Sequence, residues 1–335
     1  MDLIERLCNA YGPAGREHAV RAMIQKEVRK YCSRIKTDRL GNLICHVPAT
    51  RKDGERIMFC AHMDEIGVII TYIDKKGFLR FSNIGGVFPQ RILHHRVMFE
   101  NGVVGVIGIE PDKEGSKPET KPQLDRMYVD IGARDQAEAE KHVRIGDIAS
   151  FSQETIRLGK ERISAKALDD RIGCYCMIEA MKRTKQSSFD LYFVFSTQEE
   201  VGLRGARTGA YAIEPDYALA IDVTSTGDTP EAHKMQVELG KGVAIKVKDS
   251  GFIAHPEVKD RLVEYARDLA IPYQFEILEH GSTDAAVIQL VKGGVMSGVL
   301  SIPTRYVHST NEVCDMKDVE GTIKLLAHVC KKGFH

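Results

Sequence analysis

Apolar positions follow one rhythm at the two ends of the chain and another in the middle. Val20, Ile24, Val28 and Tyr31 recur at helical spacing, so residues 16–32 are expected to form an amphipathic helix after the turn Tyr11-Gly12-Pro13-Ala14-Gly15. Residues 56–61 (RIMFCA) read as a short apolar strand that runs directly into His62-Met63-Asp64-Glu65. Between residues 66 and 161 short Val/Ile/Gly segments recur at 67–73, 97–109, 127–131 and 147–152, with glycines and charged turns between them. That pattern predicts a small β barrel or sandwich. Residues 110–126 (EPDKEGSKPETKPQLDR) are polar, carry three prolines and read as a loop.

After residue 162 strands and helices alternate again. Asp169-Asp170 precedes an expected helix over 171–184, with an aspartate as N-cap. Residues 191–196 (LYFVFS) and 217–221 (YALAI) are unbroken apolar runs, as expected of strands buried on both faces of a sheet. Helices are expected at 257–270, 283–291 and 319–331, and strands at 273–278 and 295–302. The simplest architecture is one α/β domain, residues 1–65 and 162–335, interrupted by a β insert at 66–161.

Composition narrows the function. Lys+Arg and Asp+Glu are both 47 in 335 residues, so there is no net positive field to gather nucleic acid or a membrane surface. At 43% hydrophobic and 28% charged residues the profile is that of a soluble globular protein. No apolar run approaches the ~20 residues needed to cross a bilayer, and the first residues lack the pattern of a signal peptide. The eight cysteines contain no Cys-x-x-Cys pair. They read as reduced core thiols of a cytoplasmic protein, with Cys174 and Cys176 packing a helix rather than binding metal.

The chemistry is expected at strand ends. The 56–61 strand ends at His62 and Asp64, the LYFVFS strand leads to Glu199-Glu200, YALAI ends at Asp222, and the 295–302 strand is followed by His308. Ligands of open α/β sheets bind outside the carboxyl ends of the strands. Taken singly, His62 reads as a loop histidine, Asp169-Asp170 as a cap, Glu199-Glu200 as a solvated loop, Asp222 as an Asx turn and His308 as surface decoration. Arriving together at consecutive strand ends, they suit two divalent cations: imidazole and carboxylate favour Zn²⁺ or Co²⁺, with Mn²⁺ a third candidate. Asp169, Glu200 and Asp222 would balance three of four positive charges, leaving one for an ionised water. Asp169, short and fixed at a helix start, qualifies as a bridge. Glu200 is assigned as ligand, Glu199 as general base, and Asp64 as the residue that holds the His62 ring.

These segments resemble the tetrahedral (TET) dinuclear metallo-aminopeptidases, also called glutamyl or deblocking aminopeptidases. The resemblance rests on Gly12-Pro13-Ala14-Gly15-Arg16-Glu17, Ala61-His62-Met63-Asp64-Glu65-Ile66-Gly67, Ala167-Leu168-Asp169-Asp170-Arg171 and Gln198-Glu199-Glu200-Val201-Gly202. It extends through Ala220-Ile221-Asp222-Val223-Thr224, Gly281-Ser282-Thr283-Asp284-Ala285 and Ile302-Pro303-Thr304-Arg305-Tyr306-Val307-His308-Ser309. It implies His62 and Asp222 on one metal, Glu200 and His308 on the other, Asp169 between them, and Asp64 and Glu199 as the catalytic pair. It also implies a mixed-sheet aminopeptidase domain with helices on both faces, interrupted by an inserted small β-barrel or sandwich domain that mediates dimerisation. Dimers would build a twelve-subunit tetrahedron, and the substrates would be short peptides. The substrate side-chain pocket is not readable, and its candidates are the 281–285 turn and Arg305, for which pairing with a structural acid is the reading placed first. A deacylase or other amidohydrolase with the same site is the alternative activity, ahead of a glycoside hydrolase. A non-enzymatic assembly protein would have lost a ligand or Glu199, and none is missing.

Overall fold

The computed structural model describes residues 2–111 and 122–335, so residues 112–121 of the expected 110–126 loop lie outside the described residues. An eleven-stranded mixed sheet forms the larger part. Its path runs Arg34–Thr37, Leu43–Val47, Asp190–Ser196, Arg56–His62, Tyr217–Thr224, Met296–Arg305, Glu312–Asp315, Arg162–Ala165 and Ile156–Leu158. Val243–Lys248 joins beside Met296–Arg305 and pairs with Tyr273–Ile277.

The continuous apolar runs are strands covered on both sides, and their residues alternate between two cores. Ile57, Phe59, Leu191, Phe193, Leu219 and Ile221 pack under helices Asp2–Asn9, His18–Val28, Leu168–Arg183 and Met316–Lys332. Met58, Cys60, Val194 and Ala218 pack on the opposite face against helices Arg204–Ile213 and Ala285–Ile288. Phe59 and Phe193 stack at 5.0 Å between ring centroids across neighbouring strands. Burial of each such ring contributes about 1.5–3 kcal/mol.

Helix ends depart from expectation at three places. The first amphipathic helix covers only His18–Val28; Val20, Ile24 and Val28 are fully buried, and Tyr31 lies beyond its last turn. Asp169 and Asp170 have non-helical angles within Leu168–Arg183, and the Asp170 carboxylate accepts from Gly173 N at 3.0 Å. Asp170 therefore caps the regular helix. The expected helix over 283–291 is one turn, Ala285–Ile288. All eight cysteines are free thiols, and all but Cys32 are buried.

Six strands close into a barrel in the order Gly67–Ile73, Leu79–Ile84, Met127–Asp130, Val104–Ile109, Arg96–Phe99, Ile148–Phe151. Val68, Leu79, Phe81, Val97, Ile107 and Phe151 are among its buried residues. The expected single segment 97–109 is a hairpin, because Asn101-Gly102 turns the chain with Gly102 at φ 86°. Ile156–Leu158, within the expected insert, pairs with Arg162–Ala165 at the edge of the large sheet.

Candidate metal centre

Register brings the chemistry to one edge. Ser196 pairs with His62, Ala220 with Cys60 and Asp222 with Ser301, so the strands carrying His62, Glu199-Glu200 and Asp222 end level with one another. His62 Nε2 stands 3.0 Å from Asp169 Oδ1, 3.9 Å from Glu199 Oε2 and 4.0 Å from Asp222 Oδ1. His308 Nε2 stands 3.3 Å from Asp169 Oδ2 and 3.4 Å from Glu200 Oε2. Two donor groups result, His62–Asp169–Asp222 and Asp169–Glu200–His308, each with its donor atoms within 4.8 Å of one another. Asp169 belongs to both and turns one oxygen toward each imidazole.

Backbone contacts fix these side chains. Asp64 accepts from Glu199 N at 3.0 Å and from Glu200 N at 3.1 Å, one N–H on each carboxylate oxygen. The His62 ring rests more closely on the Asp64 carbonyl (3.1 Å) than on its carboxylate (3.6 Å). Asp64 thus organises both glutamates as well as the ring. Asp170 Oδ2 accepts from His62 N at 3.1 Å. Glu312, 2% exposed, accepts from Asp169 N at 3.0 Å and from His308 N at 2.8 Å.

Charge is concentrated here with little water to screen it. Burial disfavours protonated His62, yet Glu199, Asp169 and Asp64 hold its pKa well above the ordinary value. Burial likewise opposes protonation of His308, but Glu200 and Asp169 raise it to about 10. Burial pushes Glu200 up to about 7 against the pull of His308, with Asp169 adding repulsion. Burial and the neighbouring Asp222 and Asp284 raise Glu199 well above the carboxylate range, opposed by His62. Asp169 is held low despite burial, because both imidazoles face it. Crowded buried acids that share two imidazoles fit a site whose balancing charge is cationic. The donors are imidazole and carboxylate, and the Cys174 thiol instead donates to the His62 carbonyl at 3.1 Å. That set suits zinc, cobalt or manganese.

The profile of the M42 glutamyl aminopeptidases matches residues 41–325. The chain belongs to this family. A relative from Acetivibrio thermocellus is 50% identical over 97% of this chain and 96% of its own. The aminopeptidase of the archaeon Desulfurococcus kamchatkensis is 40% identical and superimposes with a TM-score of 0.95, covering 99% of this chain and 94% of that one. The Pyrococcus horikoshii TET1 peptidase, described as assembling into a tetrahedron or a large octahedral shell, is 32% identical with a TM-score of 0.89 over 99% of both chains.

Other residues of this M42 aminopeptidase take places the sequence left open. Arg305 makes a two-pronged pair with Asp228, at 2.9 and 2.6 Å. Although burial works the other way, that guanidinium helps hold the Asp228 carboxyl down at about 2. In the 281–285 turn, Asp284 is buried and accepts from Ser196 Oγ at 2.6 Å. Glu65 accepts from Lys166 at 2.8 and 2.6 Å and from Arg171 at 3.2 Å, all three side chains being nearly or fully buried. Arg171 also donates to the carbonyls of Leu7 and Gly12, tying the first helix and the Gly12 turn to the start of the Asp169 helix. Glu312 is absent from the residues expected at the site, because an isolated acid four residues after His308 carries no spacing signal.

Proposed function

We propose that this protein removes N-terminal residues from short peptides by metal-assisted hydrolysis. One divalent cation would be held by His62 and Asp222, the other by Glu200 and His308, with Asp169 between them. The observation that carries this reading is the pair of donor groups meeting at one aspartate. A pair of such cations supplies polarisation of the scissile carbonyl and a water acidified to near neutral pH.

The chain's own groups do the rest. Glu199 belongs to neither donor group, yet its Oε2 lies 3.9 Å from His62 Nε2. In this reading it takes the proton of the attacking water and passes it to the leaving amine nitrogen. Its raised pKa suits a carboxylate that must carry a proton in mid-reaction. Asp64 keeps Glu199 and Glu200 in their separate roles through their backbone N–H groups. An open groove of about 1480 Å³ is lined by Ser225–Gly227, just past the strand carrying Asp222, and by none of the donor residues.

Chelation is expected to abolish release of free N-terminal residues from a panel of aminoacyl reporters, and added Zn²⁺ or Co²⁺ to restore it. Turnover that survives complete metal removal would refute the proposal. Faster cleavage of N-acetylated than of free-amine substrates would favour a deacylase. The glycoside-hydrolase alternative needs two carboxylates acting without metal, whereas these acids crowd around two imidazoles.

The barrel is the proposed assembly module. Tyr72, Val104 and Val106 are large apolar residues 52%, 48% and 44% exposed on its strands, the kind of surface that partners cover. Dimers and a tetrahedral dodecamer are the expected states. Light scattering should return about twelve times the 37.4 kDa chain mass; a monomer at micromolar concentration would remove this part of the proposal.

A further inference from the structure

We infer that the barrel controls occupation of one of the two metal positions, by fixing the imidazole of His308. The inference rests on the dinuclear reading above and deepens it. The two histidines are supported in different ways. His62 is hydrogen-bonded to Asp64, Asp169 and Asp170, all from the sheet part of the chain. His308 follows the end of its strand at φ 61°, a left-handed backbone that a non-glycine residue holds only when its surroundings impose it.

Those surroundings come largely from the barrel and the loop beyond its second strand. His308 Nδ1 lies 2.9 Å from the carbonyl oxygen of Gly86, two residues past strand Leu79–Ile84. With that carbonyl accepting the Nδ1 hydrogen, Nε2 is left free to face Asp169 and Glu200. Arg91 donates to the carbonyl of Val307, the residue before His308. His95 Nδ1 meets Thr310 Oγ1 at 2.9 Å, two residues after it. Beyond Asp169 and Glu200, which face Nε2 at 3.3 and 3.4 Å, the sheet part holds His308 through Glu312, which accepts from His308 N.

The fit at Gly86 is close enough to be exclusive. A Cβ on Gly86 would overlap His308 Nδ1 and stand 2.6 Å from Cε1. Gly86 is outside the left-handed region, and the three atoms nearest such a Cβ all belong to the His308 ring. At the neighbouring Gly85, a Cβ would come within 2.9 Å of Glu200 Oε2. Two consecutive barrel-side glycines therefore press against the two ligands of the same metal position, His308 and Glu200. The insert thus backs the half of the centre whose donors, Asp169, Glu200 and His308, come from the sheet part.

Gly86→Ala tests this. Metal-free wild-type and variant proteins are titrated with Co²⁺ and followed by visible absorption and calorimetry. Circular dichroism and thermal unfolding report on the fold, and His308→Ala identifies the spectrum of the remaining site. The wild type should take up two equivalents. Gly86→Ala should bind one with wild-type affinity and the second at least about 10-fold more weakly, the lower end of the effect seen when a ligand's supporting partner is lost. Wild-type affinity for both equivalents in the variant would overturn the inference. If Gly86→Ala does not fold, Arg91→Met decides: weakening confined to the second equivalent supports the inference, and two unaltered equivalents overturn it. A wild type that binds fewer than two equivalents would instead defeat the dinuclear reading, and the inference with it.

Discussion

Glu199→Gln is expected to keep both divalent cations and to lose about 10²–10⁴-fold in kcat, the usual worth of a positioned proton carrier. The substitution preserves size. It also replaces a carboxyl that burial, Asp222 and Asp284 already push toward its neutral form, so the folded state has little reason to change. KM should move little, because in the proposed role Glu199 acts on the proton rather than on the ground-state peptide. Metal analysis and steady-state kinetics on one preparation check it. Loss of a cation with the residual rate retained would mean that Glu199 is the ligand and Glu200 the proton carrier.

Asp169→Asn has the larger structural consequence. Each Asp169 oxygen faces one imidazole, at 3.0 Å from His62 and 3.3 Å from His308. Asparagine keeps one acceptor oxygen and turns an NH₂ donor toward the other position. It also removes the one carboxylate held firmly ionised between the two histidines. Both cations should be lost together, and turnover with them. Removing Asp222 or Glu200, by contrast, should spare the opposite position, since each belongs to one donor group.

Much of this centre could be read from residue order because the strands that carry it are buried on both faces. LYFVFS and YALAI had to be apolar throughout, which made their ends, and the Glu199-Glu200 and Asp222 beyond them, easy to place. The barrel was harder. Strand Leu79–Ile84 alternates Leu79 and Phe81 inward with Arg80 and Ser82 outward, and so short a half-polar run resembles a loop. The supports of the ligands were harder still. Glu312 accepts from the backbone N–H of Asp169, 143 residues away, and Gly86 offers its own carbonyl to the His308 ring, 222 residues away; no periodicity marks such contacts. Arg305 could have met a substrate carboxylate or an acid of the protein; Asp228, 77 residues away, supplies the acid in the folded chain.

The most direct measurement is the metal content of wild-type protein and Asp169→Asn, prepared side by side in excess Zn²⁺ or Co²⁺ and freed of loosely bound ions. Wild-type protein should hold two cations per chain and the variant close to none, with circular dichroism unchanged. Two cations retained without the Asp169 carboxylate, or fewer than two in the wild type, would contradict a centre built on that aspartate.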